Sequence, residues 1–594
     1  MDNQNSRNMI LAGILTVTIL LGWDQAMRYF YPKANAPAPA ATASATPAPV
    51  ESGTAKKTRE GGLTNPADIA LEAKDIKTVL ANPARVKIEA PGLSGSINLA
   101  GGVIDDLSTN RHTAALDQGQ GLQRIYSPAG TPAQQYAQFG WTMGDGAPAI
   151  ALPTAQTVWT APAGAKLTPQ TPVTLTWNNG AGQTFSLTYA IDADYMLTVS
   201  QTVSNAGPAP VTLKPVAQLS RTDKTAALDS FNVHAGPFGA FDGVVNFGND
   251  YDDVAEAGTV ALAGKPDWVG FTDIYWMSTL IPEKPGATAD FRALQNGVYL
   301  ANLFYPQAGI APGQQTTRVT KLFAGAKETD VLDRYEASGI ANFSLAIDWG
   351  WFRWFEKPLF ALLKWLFGAV GNFGVAIMLL TVIVKAVMFP VSQKQFASMA
   401  AMKAIQPKMK ALQDRYKDDK AKQQQEIMDL YKKEGVNPLA GCLPIFLQIP
   451  VFFALYKVLI LSVEMRHQPF VLWIKDLSAP DPLHFLNLFG YLNFTVPAFL
   501  GIGVLALLLG ITMWLQFKLN PAQMDPVQQQ VFAIMPWLMM FIMAPFAAGL
   551  LLYWITNNVL TIAQQSYLYS KHPQLKAQAE KDAEDSKRAQ ARGT

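Results

Sequence analysis

Two lysines stand inside hydrophobic runs, and they are the residues of this chain best placed to do chemistry. Lys385 lies in the run 372–391 and Lys457 in 443–463, each six residues from one end. An ammonium in a membrane helix costs roughly 2.5–3.5 kcal/mol near the centre by insertion scales, so such a residue is a functional candidate. The bland alternative is snorkelling, because a four-carbon stem reaches the interface from about 9 Å, the depth of six residues at 1.5 Å each. A cation held there would attract an acidic group entering low-dielectric surroundings. Depth alone makes the two lysines equivalent. Thr381 lies one turn from Lys385 on the same helical face, and Gln448, Thr512, Gln516, Thr556, Asn557 and Asn558 are further polar groups in apolar runs. A wet pocket open on one side would explain them together, and so would ordinary interhelical hydrogen bonds.

Nothing else points to bond-making chemistry. Cys442 is the single cysteine, so no internal disulfide forms and the fold rests on core packing. Five histidines are scattered without ligand spacing, and HExxH, CxxC, GxSxG and P-loop patterns are absent. This argues against a hydrolase and against a nucleotide-driven pump. It implies no metal, no cofactor and no enzymatic activity.

The elements that must position these residues fall into two unlike halves. Residues 9–28 begin with an apolar run of 14 residues after Arg7. The small residues that follow, at 40–45, lie some 20 positions past that run, too far for the usual signal-peptide cleavage geometry. An uncleaved anchor is the favoured reading, with a cleaved signal peptide as its rival. The Ala/Pro-rich stretch 34–58 reads as a semi-extended, disordered linker. From 60 to 340 the chain is polar and alternates over short segments. The strand candidates are 86–99, 171–178, 184–191, 195–204, 268–281, 298–305 and 316–324, with Asn179-Gly180 in a turn. Long helical periodicity is scarce, so this half reads as a β-sandwich-like domain.

Residues 349–367 crowd aromatics and place Arg353, Lys357 and Lys364 on one helical face. That pattern predicts an amphipathic helix lying in the membrane interface, with a buried helix of the soluble half as the alternative. Spans follow at 372–391, 443–463 and 497–517, each near the ~20 residues that cross a bilayer. The last apolar zone, 531–563, has 33 residues, about 50 Å as one helix against a hydrocarbon core of ~30 Å. Pro545 and the small residues after it predict two short spans, 531–545 and 548–565. The expected architecture is therefore a membrane α-helical bundle of six transmembrane helices, five of them in its core, plus the β domain.

Charge sets the orientation. The region 392–440 carries ten Lys/Arg and the tail 566–594 six, whereas 464–490 carries only Arg466 and Lys475. Basic loops stay in the cytoplasm, which puts 1–8, 392–440, 518–530 and 566–594 inside and the loop 464–496 outside. The domain lies outside too, and it is acidic: residues 61–348 hold 17 Lys/Arg against 26 Asp/Glu. Within 392–440 two helical stretches, 396–416 and 421–434, form a hairpin. Met399, Met402, Ile405, Met409 and Leu412 make a stripe at helical spacing. A methionine-rich surface adapts to varied hydrophobic segments, but packing against the partner helix is the favoured reading for most of the stripe.

Many short motifs resemble the YidC-type membrane protein insertases, relatives of the mitochondrial and chloroplast insertases of the Oxa and Albino types. They include Phe389-Pro390, Gln406-Pro407-Lys408, Asn437-Pro438-Leu439, Gly441-Cys442-Leu443-Pro444, Gln448-Ile449-Pro450-Val451-Phe452, Ala454-Leu455-Tyr456, Asp481-Pro482 and Gly549-Leu550 followed by Leu552-Tyr553-Trp554. They occur in order across about 349–565. The amino-terminal half resembles the Gram-negative form, most closely over 268–282, which implies a β-supersandwich in the periplasm of a multi-pass inner-membrane protein.

The resemblance separates the lysines. Members of that family carry a conserved positive residue, usually Arg, in a hydrophilic groove open to cytoplasm and lipid, and Lys385 occupies that position. A compact ammonium replaces a bidentate fork, so charge is kept and fork geometry lost. Groove residues implied by the same matching are Thr381, Gln448, Tyr553 and Trp554, with Met399, Met402 and Met409 as substrate-contact positions on the hairpin. The implied function is insertion and folding of nascent membrane proteins into the lipid bilayer, alone or with the Sec translocon, with the ribosome as a further partner of the basic tail. A small-solute transporter would predict inverted repeats and interrupted spans in corresponding halves, and neither is detected.

Overall fold

The computed structural model describes residues 57–114, 121–228, 233–283, 286–417, 419–435, 443–492, 501–519 and 526–571. The span expected at 9–28, nearly all of the linker 34–58, Cys442 and the tail beyond 571 lie outside the described residues, as do the side chains of Met399 and Met402. The chain divides into two compact units, one of residues 1–108, 124–325 and 339–342, the other of 109–123, 326–338 and 343–594.

The first unit is built from two sheets, one of eleven strands and one of eight. Alternation creates them. Gln183–Ile191 buries every second side chain and pairs antiparallel with Val173–Asn178, placing Val173 opposite Tyr189. The turn between them is a four-residue loop rather than a two-residue one. Asn178 Oδ1 accepts from the Gly180 N–H at 2.7 Å, Asn179 Oδ1 accepts from the Ala181 N–H at 2.9 Å, and Gly180 takes φ 76°. The expected stretch 86–99 is itself a hairpin, Arg85–Glu89 against Leu93–Asn98. Likewise 268–281 divides into Pro266–Thr272 and Trp276–Pro282.

Both sheets turn aromatic faces inward, and Trp268, Tyr126, Tyr189, Phe139, Phe185 and Phe271 are almost wholly buried. Burying one such side chain contributes roughly 1.5–3 kcal/mol. Three polar contacts bridge the two sheets in this core. Tyr189 donates to the Gly102 carbonyl at 2.6 Å, and Gln201 Nε2 donates to the Gly140 carbonyl at 2.7 Å. Arg221 and Asp273 form a buried ion pair at 2.6 Å. The scarcity of helices expected from the sequence needs one amendment. Helix α1, Pro66–Leu80, starts on an Asn65 cap with proline in its first turn, a start signal that needs no apolar stripe. A short helix α2, Tyr251–Ala257, is closed by a capping box between Asp250 and Asp253.

The second unit is helical. Its elements are α3 (Thr329–Ala337), α4 (Arg353–Val370), α5 (Phe373–Arg415), α6 (Lys420–Glu434), α7 (Leu443–Leu461), α8 (Val504–Leu519), α9 (Pro526–Met543) and α10 (Ala548–Lys571). Gly371 in the left-handed region closes α4, and the side chain of Asn372 caps α5. The cations on one face of α4 are engaged within the unit. Lys357 pairs with Asp333 at 2.9 Å, Lys364 with Asp330 at 2.6 Å, and Arg353 donates to Ser344 Oγ at 3.2 Å. The long apolar zone near the end breaks between Met543 and Ala548, around Pro545.

Among the described residues one helical stretch, Phe373–Gln395, is long and apolar enough to cross a membrane by length and composition. Gln448–Leu461, Val504–Leu519 and Ala533–Met543 are shorter apolar stretches. The ends of the bundle are fixed by the loop 464–492. Ala548 N–H donates to the Ala479 carbonyl at 2.7 Å and Gly549 N–H to the Leu477 carbonyl at 2.9 Å. Asp481, buried, accepts from Leu505 N–H at 2.8 Å and from the Trp473 indole at 3.0 Å, so one carboxylate starts α8 and holds the loop.

Candidate functional site

Helix α5 delivers Lys385 to the side of α10. Its Nζ donates to Thr561 Oγ1 at 2.8 Å, and the Thr561 hydroxyl donates back to the Asn557 carbonyl at 2.6 Å. The ammonium has three protons, and Thr561 is its one hydrogen-bond acceptor among the described residues. Thr561 repeats the helical spacing of its neighbours: Asn557, Thr561, Gln564 and Gln565 stand at i, i+4, i+7 and i+8 and share one face.

That face is polar and under-satisfied. Among the described residues, Asn557 Oδ1, Gln564 Nε2 and Gln565 Oε1 are buried without a hydrogen-bond partner. Each such group costs about 1–3 kcal/mol unless something pairs with it. The next residue of α10, Asn558, donates from Nδ2 to Thr512 Oγ1 of α8 at 3.2 Å.

The residues expected around the cation separate into two groups. Gln448 of α7 hydrogen-bonds the Tyr553 hydroxyl, and Tyr553 is buried. Trp554 stands edge-on to Phe452 of α7, ring centres 5.3 Å apart. Tyr553 precedes Thr561 by two turns of α10, about 12 Å at 1.5 Å per residue. Gln448 and Tyr553 therefore form a polar contact of their own, remote from Lys385. Thr381 is buried, and its hydroxyl donates to the Ile377 carbonyl of its own helix at 2.7 Å; among the described residues the Lys385 ammonium donates to Thr561. On the hairpin, Tyr431 of α6 donates to Met409 Sδ at 3.2 Å, which engages that methionine with the partner helix. Thr561, Gln564 and Gln565 were not singled out by sequence. Their four-residue spacing from Asn557 was the available signal.

Lys457 has a different environment. Its Nζ donates to the Asp348 carbonyl at 2.9 Å, where the chain enters α4. Glu356 of α4 is buried close by. Burial pushes its carboxyl up to about 7; the Lys457 ammonium pulls it down and Asp348 pushes it up. One lysine is thus tied to backbone at one end of the bundle, and the other sits in a seam of side chains. Depth made them alike, and surroundings distinguish them.

Comparison with known proteins places the whole chain. A family model described as 60Kd inner membrane protein matches residues 365–576, and one described as YidC periplasmic domain matches 85–362. A membrane protein insertase YidC of Zymomonas mobilis is 42% identical, covering 96% of each chain. One from a Ruegeria species is 47% identical, covering 81% of this chain and 82% of the relative. Among solved structures, an active YidC insertase with its first transmembrane domain resolved is similar at a TM-score of 0.35 and 18% identity, covering 81% of this chain and 92% of that one.

Proposed function

The chain belongs to the YidC family of membrane protein insertases, inner-membrane proteins with a periplasmic domain, and from that premise we propose that it inserts nascent membrane proteins through a hydrophilic groove centred on Lys385. The single observation that carries this reading is the Lys385–Thr561 contact at 2.8 Å, a cation held among uncharged polar groups inside otherwise apolar helices. A nascent segment with a short hydrophilic end enters from the cytoplasm. The ammonium attracts acidic groups in that end, and water in the groove lowers their desolvation cost. The hydrophobic part then moves into lipid along the apolar outside of the bundle. No nucleotide takes part.

The remaining assignments belong to the same reading. Six spans, five in the core, place both termini in the cytoplasm. Trp354 and Trp365 of α4 are both more than two-thirds exposed, which suits a helix in the headgroup region, where indoles concentrate. Gln448, Tyr553, Trp554 and Thr381 line the outer part of the groove. Met399, Met402 and Met409 are the substrate-contact positions assigned to the hairpin. The Sec translocon and the ribosome are the expected partners in the cell, the latter through the basic tail.

The test is reconstitution of the purified full chain in liposomes, with a short single-span substrate made in its presence. The expected result is protease protection of the substrate beyond that of empty liposomes. Protection equal to empty liposomes overturns the proposal.

A further inference from the structure

The polar face of α10 has more hydrogen-bonding capacity than one cation needs. Resting on the insertase reading, we propose that Asn557, Thr561 with Lys385, and Gln565 form a row that receives the main chain of an entering polypeptide in extended conformation. The ligand class is the peptide group itself, independent of side-chain sequence.

Three observations converge on this. First, the orphaned atoms lie on one face: among the described residues Asn557 Oδ1, Gln564 Nε2 and Gln565 Oε1 are buried and unpartnered, and Lys385 keeps two of its three protons beyond the Thr561 contact. Second, a side-chain amide carries the same donor and acceptor as a peptide group. It pairs with a backbone N–H or C=O as well as another strand would. Third, the spacing fits. Positions 557, 561 and 565 repeat every four residues, roughly 6 Å along the helix. An extended chain presents the same edge every second residue, roughly 6.7 Å. Over two repeats the mismatch is about 1.4 Å, within the reach of a glutamine side chain. A helical segment would present no free peptide groups to such a row, because its N–H and C=O groups are bonded within it.

The hydrophilic end of a substrate is the part that needs this. Its main chain leaves water before it can form a helix, and side-chain amides supply partners in the interval. Lys385 then adds charge attraction at the middle of the row, and Thr561 positions its ammonium.

The test uses the full chain in liposomes in a Cys442→Ser background, with single cysteines at Asn557, Thr561 or Gln565. A substrate stalled during insertion carries single cysteines at successive positions of its hydrophilic end, and disulfide yields are mapped. The expected yields alternate with a period of two, and their register advances by two substrate residues from 561 to 565. A period near 3.6, or no register shift along α10, overturns the proposal. In a second arm, Asn557→Leu and Gln565→Leu are expected to lower the insertion rate roughly fivefold, equally for substrates with acidic and with neutral ends. Unchanged rates, or a loss confined to acidic substrates, also overturn it. Failure of the unmodified chain to protect any substrate would instead sink the insertase reading, so the two failures are distinguishable.

Discussion

Charge reversal at Lys385 is the sharpest probe of the proposed groove. The Thr561 contact fixes the ammonium beside α10. A substrate carboxylate that comes within roughly 6 Å of it, at an effective dielectric of about 20, gains at most about 2.8 kcal/mol. That is about a hundredfold in the entry equilibrium, since 1.4 kcal/mol is tenfold. Lys385→Ala removes the attraction, and Lys385→Glu replaces it with a repulsion of similar size. Lys385→Arg keeps the charge and is expected to remain active. The assay is a time course of protease protection in liposomes, using two substrates that differ only by Asp or Asn in the hydrophilic end. The Asp substrate should lose up to about a hundredfold with Ala and more with Glu, while the Asn substrate changes less than about threefold. Raising salt should narrow the gap, as screening shortens to about 3 Å at 1 M. Equal activity of all variants, or equal losses for both substrates, would refute the electrostatic role.

Further outcomes are expected elsewhere in the molecule. Arg221→Met leaves Asp273 charged and buried, so it should destabilise the β domain by about 3–5 kcal/mol, and adding Asp273→Leu should restore much of that loss; thermal unfolding of the full chain in detergent measures both. For Glu356, the folded carboxyl titrates near 7 against an ordinary 4.5, so the folded state holds more protons in that window. Stability should therefore fall as pH rises from about 4.5 to about 7, by no more than about 3 kcal/mol, and Glu356→Gln should flatten that part of the melting-temperature profile. Gly374→Ala would drive a methyl into the Phe470 ring. A loss of roughly 1–3 kcal/mol is expected, and a melting temperature equal to that of the unmodified chain would contradict this close approach of Phe470 to Gly374.

The sequence carried some of this plainly and hid the rest for identifiable reasons. Strands such as Gln183–Ile191 are half-buried, and their alternation is visible. Gly236–Phe241 is buried on both faces and shows no alternation to read. Val211–Thr222 alternates well, but Pro215 lies in its middle, and proline argues against a central strand. The structure keeps it there, paired across from Trp141, with its carbonyl accepting from Tyr305 N–H at 3.0 Å. Lys385 was visible as an anomaly because hydropathy marks any charge in an apolar run. Its partner was not: Thr561 is 176 residues away, and a lone hydroxyl in a helix is unremarkable. The tie between Lys385 and Lys457 broke, on physical grounds, only when the Asp348 carbonyl was found at the second lysine. Thr381 shares a helical face with Lys385, and spacing alone could not reveal that its hydroxyl donates to Ile377 while the ammonium turns to Thr561.

Helix α5 runs 43 residues from Phe373 to Arg415, and Pro390 sits five positions beyond Lys385. Proline has no N–H to offer the Ala386 carbonyl, so the helix lacks one hydrogen bond there. The hairpin rides on the far part, where Lys408 grips Glu434 at 2.7 Å. From Pro390 to Arg415 is roughly 38 Å of helix at 1.5 Å per residue. A bend of roughly 10° at the proline would sweep the hairpin through about 6 Å and leave Lys385 where it is. Within the helical unit, α5 thus joins a part that holds the cation to an arm that can swing without moving it.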